Sequence, residues 1–409
     1  MVKLLFHRHN DCPRCPVVGS EDIASTVSES KQTDATLMEL AVDRNQLLAE
    51  VGAAARVSDG KSTQPILSHL LLQTKGNGLL SITGSDLKRT VTTECPAAVK
   101  TPGQATVPAQ KLLNYLKLLP NGTVSMKVLA NYQVQITAGH SRTKMPGLAP
   151  TSFPPAPAIA VAPIRISCRA LKTLIRQSLF AVASSEDRYL FNAALLLLRA
   201  DRMGMVATDG RRLSLVEVQE DSLALEDFRK VLLPRECMGD LLSLFGSTKA
   251  ESLDFSEDEA NVYFQIGPRK LSVRKLSGQF PNYEAIVPRD NASAAVIGTA
   301  DLLASLQRVL EFADERSNAV KLRLEENMLT ISASVPDRGE SQETLPLSYA
   351  FPAITIGFNG SFLVDFLKTI GPEGEVRLSL KNASSAAVIA PEAFNPEYQQ
   401  RYVLMPMRV

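Results

Sequence analysis

The sequence has 409 residues, a length that predicts two to four domains. Hydrophobic residues make up 45% and charged residues 21%, the balance of an ordinary soluble protein, and no apolar run approaches the roughly 20 residues that span a bilayer. Net charge is +1, from 44 basic and 43 acidic residues, which excludes binding of nucleic acid by bulk attraction and leaves only where the charge sits. The five cysteines, Cys12, Cys15, Cys95, Cys168 and Cys237, are odd in number and thinly spread, which fits reduced thiols better than a disulfide framework. The short apolar stretch at the N-terminus has no long hydrophobic region or cleavage site after it, so a cytoplasmic location is expected.

Residues 1–37 read as an extension, either disordered or the product of an upstream start codon, because Ser, Thr, Asp and Glu dominate Ser20 to Thr36. Within it, His7, His9, Cys12 and Cys15 supply four soft ligands. A structural zinc site uses this ligand set but usually has a longer loop between the ligand pairs, so an unstructured extension is the preferred reading. No metal or cofactor is expected.

From Met38 onward one pattern is written three times, at a period of roughly 125 residues. Its first part is a short strand, a polar cap and an amphipathic helix: ELAVDRNQLLAEVGAAARV, IRISCRALKTLIRQSLFAVA and AVIGTADLLASLQRVLEFA. Asp43, Ser167 and Thr299 are the expected N-caps, and Gln46 adds a capping-box-like signal. A second helix recurs in VPAQKLLNYLKLLP, LPRECMGDLLSLFG and FNGSFLVDFLKTIG, starting at Pro108, Pro234 and Asn359. In the third copy Phe362, Leu363, Phe366, Leu367 and Ile370 form one apolar stripe. Strand-like runs LLSITGSD, GMVATD and MLTISAS lie between the two helices of each copy.

The expected fold is therefore α+β, three tandem copies of a two-helix, sheet-backed domain: 38–158, 159–288 and 289–409. Pro146, Pro150, Pro154, Pro155, Pro157 and Pro163 make the first join a linker, and Pro288 to Ser293 marks the second.

Two surfaces stand out. Arg165, Arg169, Lys172 and Arg176 recur at helical spacing, either as a solvated basic face or as a strip facing phosphates; Lys111, Lys117, Arg308 and Lys368 could extend it. At the C-terminus Val403, Leu404, Met405, Pro406, Met407, Arg408 and Val409 carry paired methionines, which either fill core or offer adaptable contact surface. Pro406 should end a strand or lie at an edge. Asp209-Gly210 in ATDGRRL signals a hairpin.

Three copies of this unit, with ATDGRRL in the second, YVLMPMRV at the end, and QPILSHLLLQ, DRYLFNAALLLL and FPNYEAIVP between, resemble the bacterial sliding-clamp family, the beta subunits of DNA polymerase III. The resemblance implies a head-to-tail homodimer whose six domains close a ring around duplex DNA, with helices lining the hole. It implies DNA contacts at Lys61, Arg142, Ser185, Tyr189 and Leu190, the family often having longer polar or aromatic groups where Ser185 and Leu190 stand. It further implies a peptide groove formed by Phe191, Thr208, Gly210, Arg211, Arg212, Leu213, Pro281 and Ile286 with the tail 403–409. Polymerase, clamp loader and repair polymerases would dock there through short motifs with Leu or Phe anchors. Arg211 stands where the family often has His and Ala285 where it often has Arg, so peptide selectivity is expected to differ.

An enzyme is the first rival. The four His residues form no spaced pair with an acid resembling a catalytic motif, and no GxGxxG or Walker-type loop is present. Asp86 and Asp209 recur at equivalent positions, which argues for turn chemistry. A DNA-binding scaffold that does not encircle its duplex is the other rival.

Overall fold

The computed structural model describes residues 36–408 except 77, 185–188, 221, 222, 224, 226, 247, 337 and 338, together with the side chains of 189 and 190. The extension, with His7, His9, Cys12 and Cys15, lies outside the described residues.

Six α-helices among the described residues fall into three pairs, and each pair packs together: α1 (Arg44–Ala55) with α2 (Ala109–Leu118), α3 (Cys168–Ser178) with α4 (Arg235–Gly246), α5 (Thr299–Leu310) with α6 (Gly360–Ile370). Local chemistry sets their ends. The Asp43 carboxylate accepts the amides of Asn45 and Gln46, Ser167 accepts that of Ala170, and Asn359 accepts that of Phe362. The third expected cap differs: Gly298 holds that position and Thr299 is already helical, because the extended backbone ends one residue earlier there. Gly371, at φ 89°, terminates α6 in a conformation that few side chains adopt. Leu363, Phe366 and Leu367 are buried, while Phe362 and Ile370 pack at the margin of the same core.

Among the described residues the strands build four antiparallel sheets, and their order explains the architecture. The first has five strands, Ala98–Thr101, Thr36–Asp43, Thr123–Leu129, Val134–Ala138 and Ser141–Met145. Its strand Thr36–Asp43 begins earlier than the sequence reading placed it. The second sheet has eight strands, four from the first unit (Arg89–Pro96, Leu79–Ser85, His69–Lys75, Gln104–Pro108) and four from the second (Ile164–Ser167, Ser252–Glu257, Asn261–Ile266, Arg269–Arg274). The halves join where Arg269–Arg274 pairs with Arg89–Pro96, in register from Lys270↔Thr92 to Val273↔Arg89. The third sheet repeats this plan between units two and three, joined where Arg212–Gln219 pairs with Gln399–Leu404, from Arg212↔Leu404 to Glu217↔Gln399. The fourth has four strands, Gly339–Pro346, Met328–Val335, Ala319–Glu325 and Ile354–Asn359.

Each helix pair lies against its sheets at close range. A Cβ added to Gly84 would stand 2.2 Å from the Ala54 carbonyl oxygen, so only glycine lets the C-terminal turn of α1, lined by Ala53, Ala54 and Ala55, settle on that strand. Residues 153–163 contain neither helix nor strand, as their prolines require, apart from one short turn of 3-10 helix just before them at Pro150–Ser152. Among the described residues no helix is long and apolar enough to cross a membrane.

The first join also holds a buried ion pair. Arg269, 4% exposed, donates from Nε and Nη2 to the two carboxylate oxygens of Glu50, both at 2.8 Å, and the Thr93 hydroxyl donates to the same carboxylate. Glu50 belongs to α1 and Arg269 to the neighbouring unit's strand, so the pair spans the join. Two such charges are tolerable only while they satisfy each other. Arg269→Met alone should destabilise the chain by about 3–5 kcal/mol in urea unfolding, and Glu50→Leu on that background should recover most of the loss. Equal losses for the single and double variants would contradict this account.

Candidate functional site

Beside the second join lies a groove of about 250 Å³ lined by Phe191, Thr208, Gly210, Arg211, Arg212, Leu213, Pro281, Ile286, Val403 and Met405. Its floor is made by two strands that meet at the join, Arg212–Gln219 and Gln399–Leu404. Leu213 and Val403 are buried partners in register, and they share an apolar cluster with Leu195, Val206, Leu215 and Tyr283. One wall is the 3-10 turn Tyr283–Ala285 with Ile286 after it, whose amide donates to the Tyr283 carbonyl.

The hairpin Asp209–Arg212 shapes the other wall. Gly210 sits at φ 87°, which lets the turn fold tightly. Thr208 Oγ1 accepts the Gly210 amide and donates to the Arg212 carbonyl at 2.6 Å, while Asp209 Oδ1 accepts the amides of Arg211 and Arg212. The Arg212 side chain is 9% exposed and held from two sides. Its Nε donates to Asp209 at 3.0 Å, its Nη1 donates to Asp365 of α6 at 2.8 Å, and its guanidinium lies 4.1 Å from the Phe362 ring centre. Arg212 is thus a fixed part of the wall, whereas Arg211 is exposed at its rim. The Tyr402 hydroxyl donates to the Phe362 carbonyl, and burial pushes its phenol far above the ordinary range.

The tail residues divide. Val403 and Met405 line the groove, and the Met405 amide donates to the Arg211 carbonyl at 3.0 Å. Leu404 does not line it. Successive strand side chains point to opposite faces, so Leu404 is fully buried in the core of the third unit. Pro406, Met407 and Arg408 also fall outside the lining: the strand ends at Leu404, before the proline, and the Met407 amide then donates to the Gly357 carbonyl. Val409 lies outside the described residues.

The basic residues divide as well. Arg169, Lys172 and Arg176 belong to α3, but Arg165 lies on the strand Ile164–Ser167, where the Ser167 cap starts the helix after it. One helical face therefore carries three of the four. Arg165 and Arg169 have exposed side chains near acids, Asp254 at 3.7 Å and Glu397 respectively. Lys111, Lys117 and Lys368 are exposed on α2 and α6. Arg308 on α5 is instead tied to Glu343 by bonds of 2.9 and 2.6 Å, and that contact holds the Glu343 carboxyl below its ordinary range. Lys61 is exposed in a turn, and Arg142 is exposed on the edge strand Ser141–Met145. Ser185 and the side chains of Tyr189 and Leu190 lie outside the description.

Sequence reasoning missed Asp365, which fixes Arg212. The available signal was a repeated acid: Asp365 follows the start of α6 at the same spacing as Asp240 follows the start of α4. Among the described residues no group of three or more His, Cys, Asp or Glu side chains could hold a metal.

The chain matches the DNA polymerase III beta subunit in three consecutive parts: the N-terminal domain over residues 38–157, the central domain over 165–282 and the C-terminal domain over 284–408. It is 31% identical to the beta sliding clamp of Caulobacter vibrioides over 380 residues, which is 91% of this chain and all of that one. The beta sliding clamp of Pseudomonas aeruginosa is 30% identical over 381 residues. Crystal structures of the Pseudomonas aeruginosa clamp, one of them bound to griselimycin, superpose with a TM-score of 0.84 at 29% identity, covering 91% of this chain and 100% of theirs. The Caulobacter crescentus clamp superposes with a TM-score of 0.83 at 29% identity. Three consecutive family domains fall on the three repeated units, and the chain belongs to the DNA polymerase III beta subunit family, the beta sliding clamps.

Proposed function

We propose that two copies of this chain close into a ring around duplex DNA, tether the replicative polymerase for processive synthesis, and dock that polymerase, the clamp loader and repair polymerases through the groove. The observation that carries this reading is the repeated join. Units 38–158 and 159–288 share one sheet, units 159–288 and 289–409 share another, and both joins pair the same two strands of the unit. Applied once more, the rule pairs the open edge Gly339–Pro346 of the third unit with the open edge Ser141–Met145 of the first, each edge taking its partner from a second chain. Two such contacts close six units with two-fold symmetry and leave no growing end. The edges also complement in charge, with Lys144 on one and Glu340 on the other.

In such a ring the helices line the hole and the sheets form the rim. Arg169, Lys172 and Arg176, with Arg165, Lys61 and Arg142, then offer phosphates a loose, sequence-independent attraction. The Arg169–Glu397 pair is exposed and so costs little to open. Topology holds the DNA, which is why a net charge of +1 suffices. The groove suits an extended segment that seats a leucine or phenylalanine over Leu213 and Val403 beside the adaptable Met405. The chain supplies tether and dock, and catalysis belongs to what docks.

Loaded by a clamp loader onto nicked circular DNA, the protein should stay bound at salt that strips simple electrostatic binders, and should leave when the circle is cut. Equal loss from circles and linear DNA as salt rises would favour the scaffold reading. Deleting Met405–Val409 should abolish binding of a peptide with leucine and phenylalanine anchors, measured by fluorescence anisotropy, while sedimentation shows the dimer unchanged. Undiminished peptide affinity would remove the groove from its assigned role.

A further inference from the structure

A second cavity, of about 220 Å³, adjoins the groove on the same face of the third sheet, and its lining includes Arg199, Glu217, Tyr283, Glu284, Arg289 and Arg401. Strand alternation places it there. Leu213 and Val403, the register pair on the groove floor, are followed on that face by Leu215↔Arg401 and then by Glu217. The step from one pair to the next is two residues, about 7 Å along a strand. Leu215 and Tyr283 share one apolar cluster with Leu213 and Val403, so the floor runs unbroken from groove to cavity. The opposite face of the sheet belongs to the helices: Ser214, between Leu213 and Leu215, donates to the Gln177 carbonyl of α3. Duplex DNA on the helix side therefore does not reach this cavity.

Charge separates the cavity from the groove. Three arginines face two glutamates, and Lys230, the register partner of Leu197 on the cavity wall, adds a fourth cation. Arg199 and Lys230 flank the exposed Phe228, at 4.8 and 5.2 Å from its ring centre. The three arginines are loosely held. Arg199 and Arg401 approach the single Glu217 carboxylate at 3.6 and 3.7 Å, beyond hydrogen-bonding range, with side chains 38% and 54% exposed. Arg289 pairs with no acid among the described residues, and the neighbouring Asp290 is taken by Lys381. Arg212 in the groove wall contrasts with them, since its bonds of 3.0 and 2.8 Å to two carboxylates leave it structural. The cavity thus holds guanidinium donors that the fold itself does not use.

We propose that this cavity receives a carboxylate of the docked peptide, an Asp or Glu side chain two residues away from the apolar anchors seated over Leu213 and Val403. The proposal rests on the groove reading above and extends it from apolar anchoring to selection for an acidic flank. Continuity and charge choose the occupant. An extended peptide turns every second side chain to the same face, and that spacing matches the step from groove to cavity. A guanidinium offers a carboxylate two parallel N–H donors, so arginines suit this ligand better than a point charge would. Glu284, exposed at the rim, opposes it and sets how selective the cavity is.

Fluorescence anisotropy on the full chain tests this with a peptide carrying leucine and phenylalanine anchors in neutral flanks, and with versions bearing Glu two residues before or after the anchors. One acidic version should bind about fivefold tighter at low salt, with the gain shrinking as salt rises. That gain should vanish in the double variant Arg289→Gln/Arg401→Gln and grow in Glu284→Gln. Equal affinity of acidic and neutral peptides for the wild-type chain would overturn the proposal, as would a gain that survives the double variant. Should the double variant fail to melt like wild type, Glu284→Gln decides, because it alters one exposed side chain and must act in the opposite direction. An unchanged gain there would equally overturn the proposal. If no peptide binds the wild-type chain, the groove reading itself falls, whereas a neutral peptide that binds while the acid adds nothing sinks this proposal alone.

Discussion

Antiparallel pairing between strands of different units is the interaction on which everything else depends. A sheet edge exposes a row of unpaired amides and carbonyls, and a unit of this size has an edge on each of its two half-sheets. Joining Arg269–Arg274 to Arg89–Pro96 and Gln399–Leu404 to Arg212–Gln219 satisfies four of these edges inside one chain. The equivalent strands serve at both joins, and the same pairing applied to the remaining edges is what would let a chain close on a second copy.

The joins also position chemistry. The groove exists because the second join brings the hairpin Asp209–Arg212 against the end of the strand Gln399–Leu404, so residues near 210 and near 404 share one wall. Arg212 is held from both sides, by Asp209 of its own turn and Asp365 of the next unit, with its flat face on Phe362. A peptide would therefore meet a rigid floor with one adaptable element, Met405, 39% exposed. Rigid walls limit the ordering cost of binding, and a flexible thioether tolerates several partners.

Much of this was legible in the sequence, for identifiable reasons. The repeat survives because each copy must make the same two helices and the same half-sheets, so caps, apolar stripes and turn residues recur at one period. The Asp209-Gly210 turn followed from local chemistry alone. Where reading along the chain failed, the deciding contact lay elsewhere or within one residue. Helical spacing put Arg165 on a helix that Ser167 begins only later. The polar side chain of Thr299 suits a cap, yet Gly298 holds that position. Leu404 adjoins Val403 in sequence, but strand alternation sends it into the core. The pairs Arg89–Asp240, Arg212–Asp365 and Arg269–Glu50 were out of reach, since each links residues more than a hundred positions apart and no local pattern pairs them. The comparison of repeat with repeat is what brings them out.

A tether that relies on closure explains both the near-neutral charge and the loosely held cations on α3, since firm phosphate contacts would hinder sliding. In the proposed ring the strand pairing used twice within the chain is used a third time between two chains. Imaging the purified protein by electron microscopy, with its mass in solution measured alongside, tests this most directly. The expected image is a two-chain annulus of six similar lobes whose opening admits a DNA duplex. A monomer, an open filament, or a dimer without a central hole would contradict it.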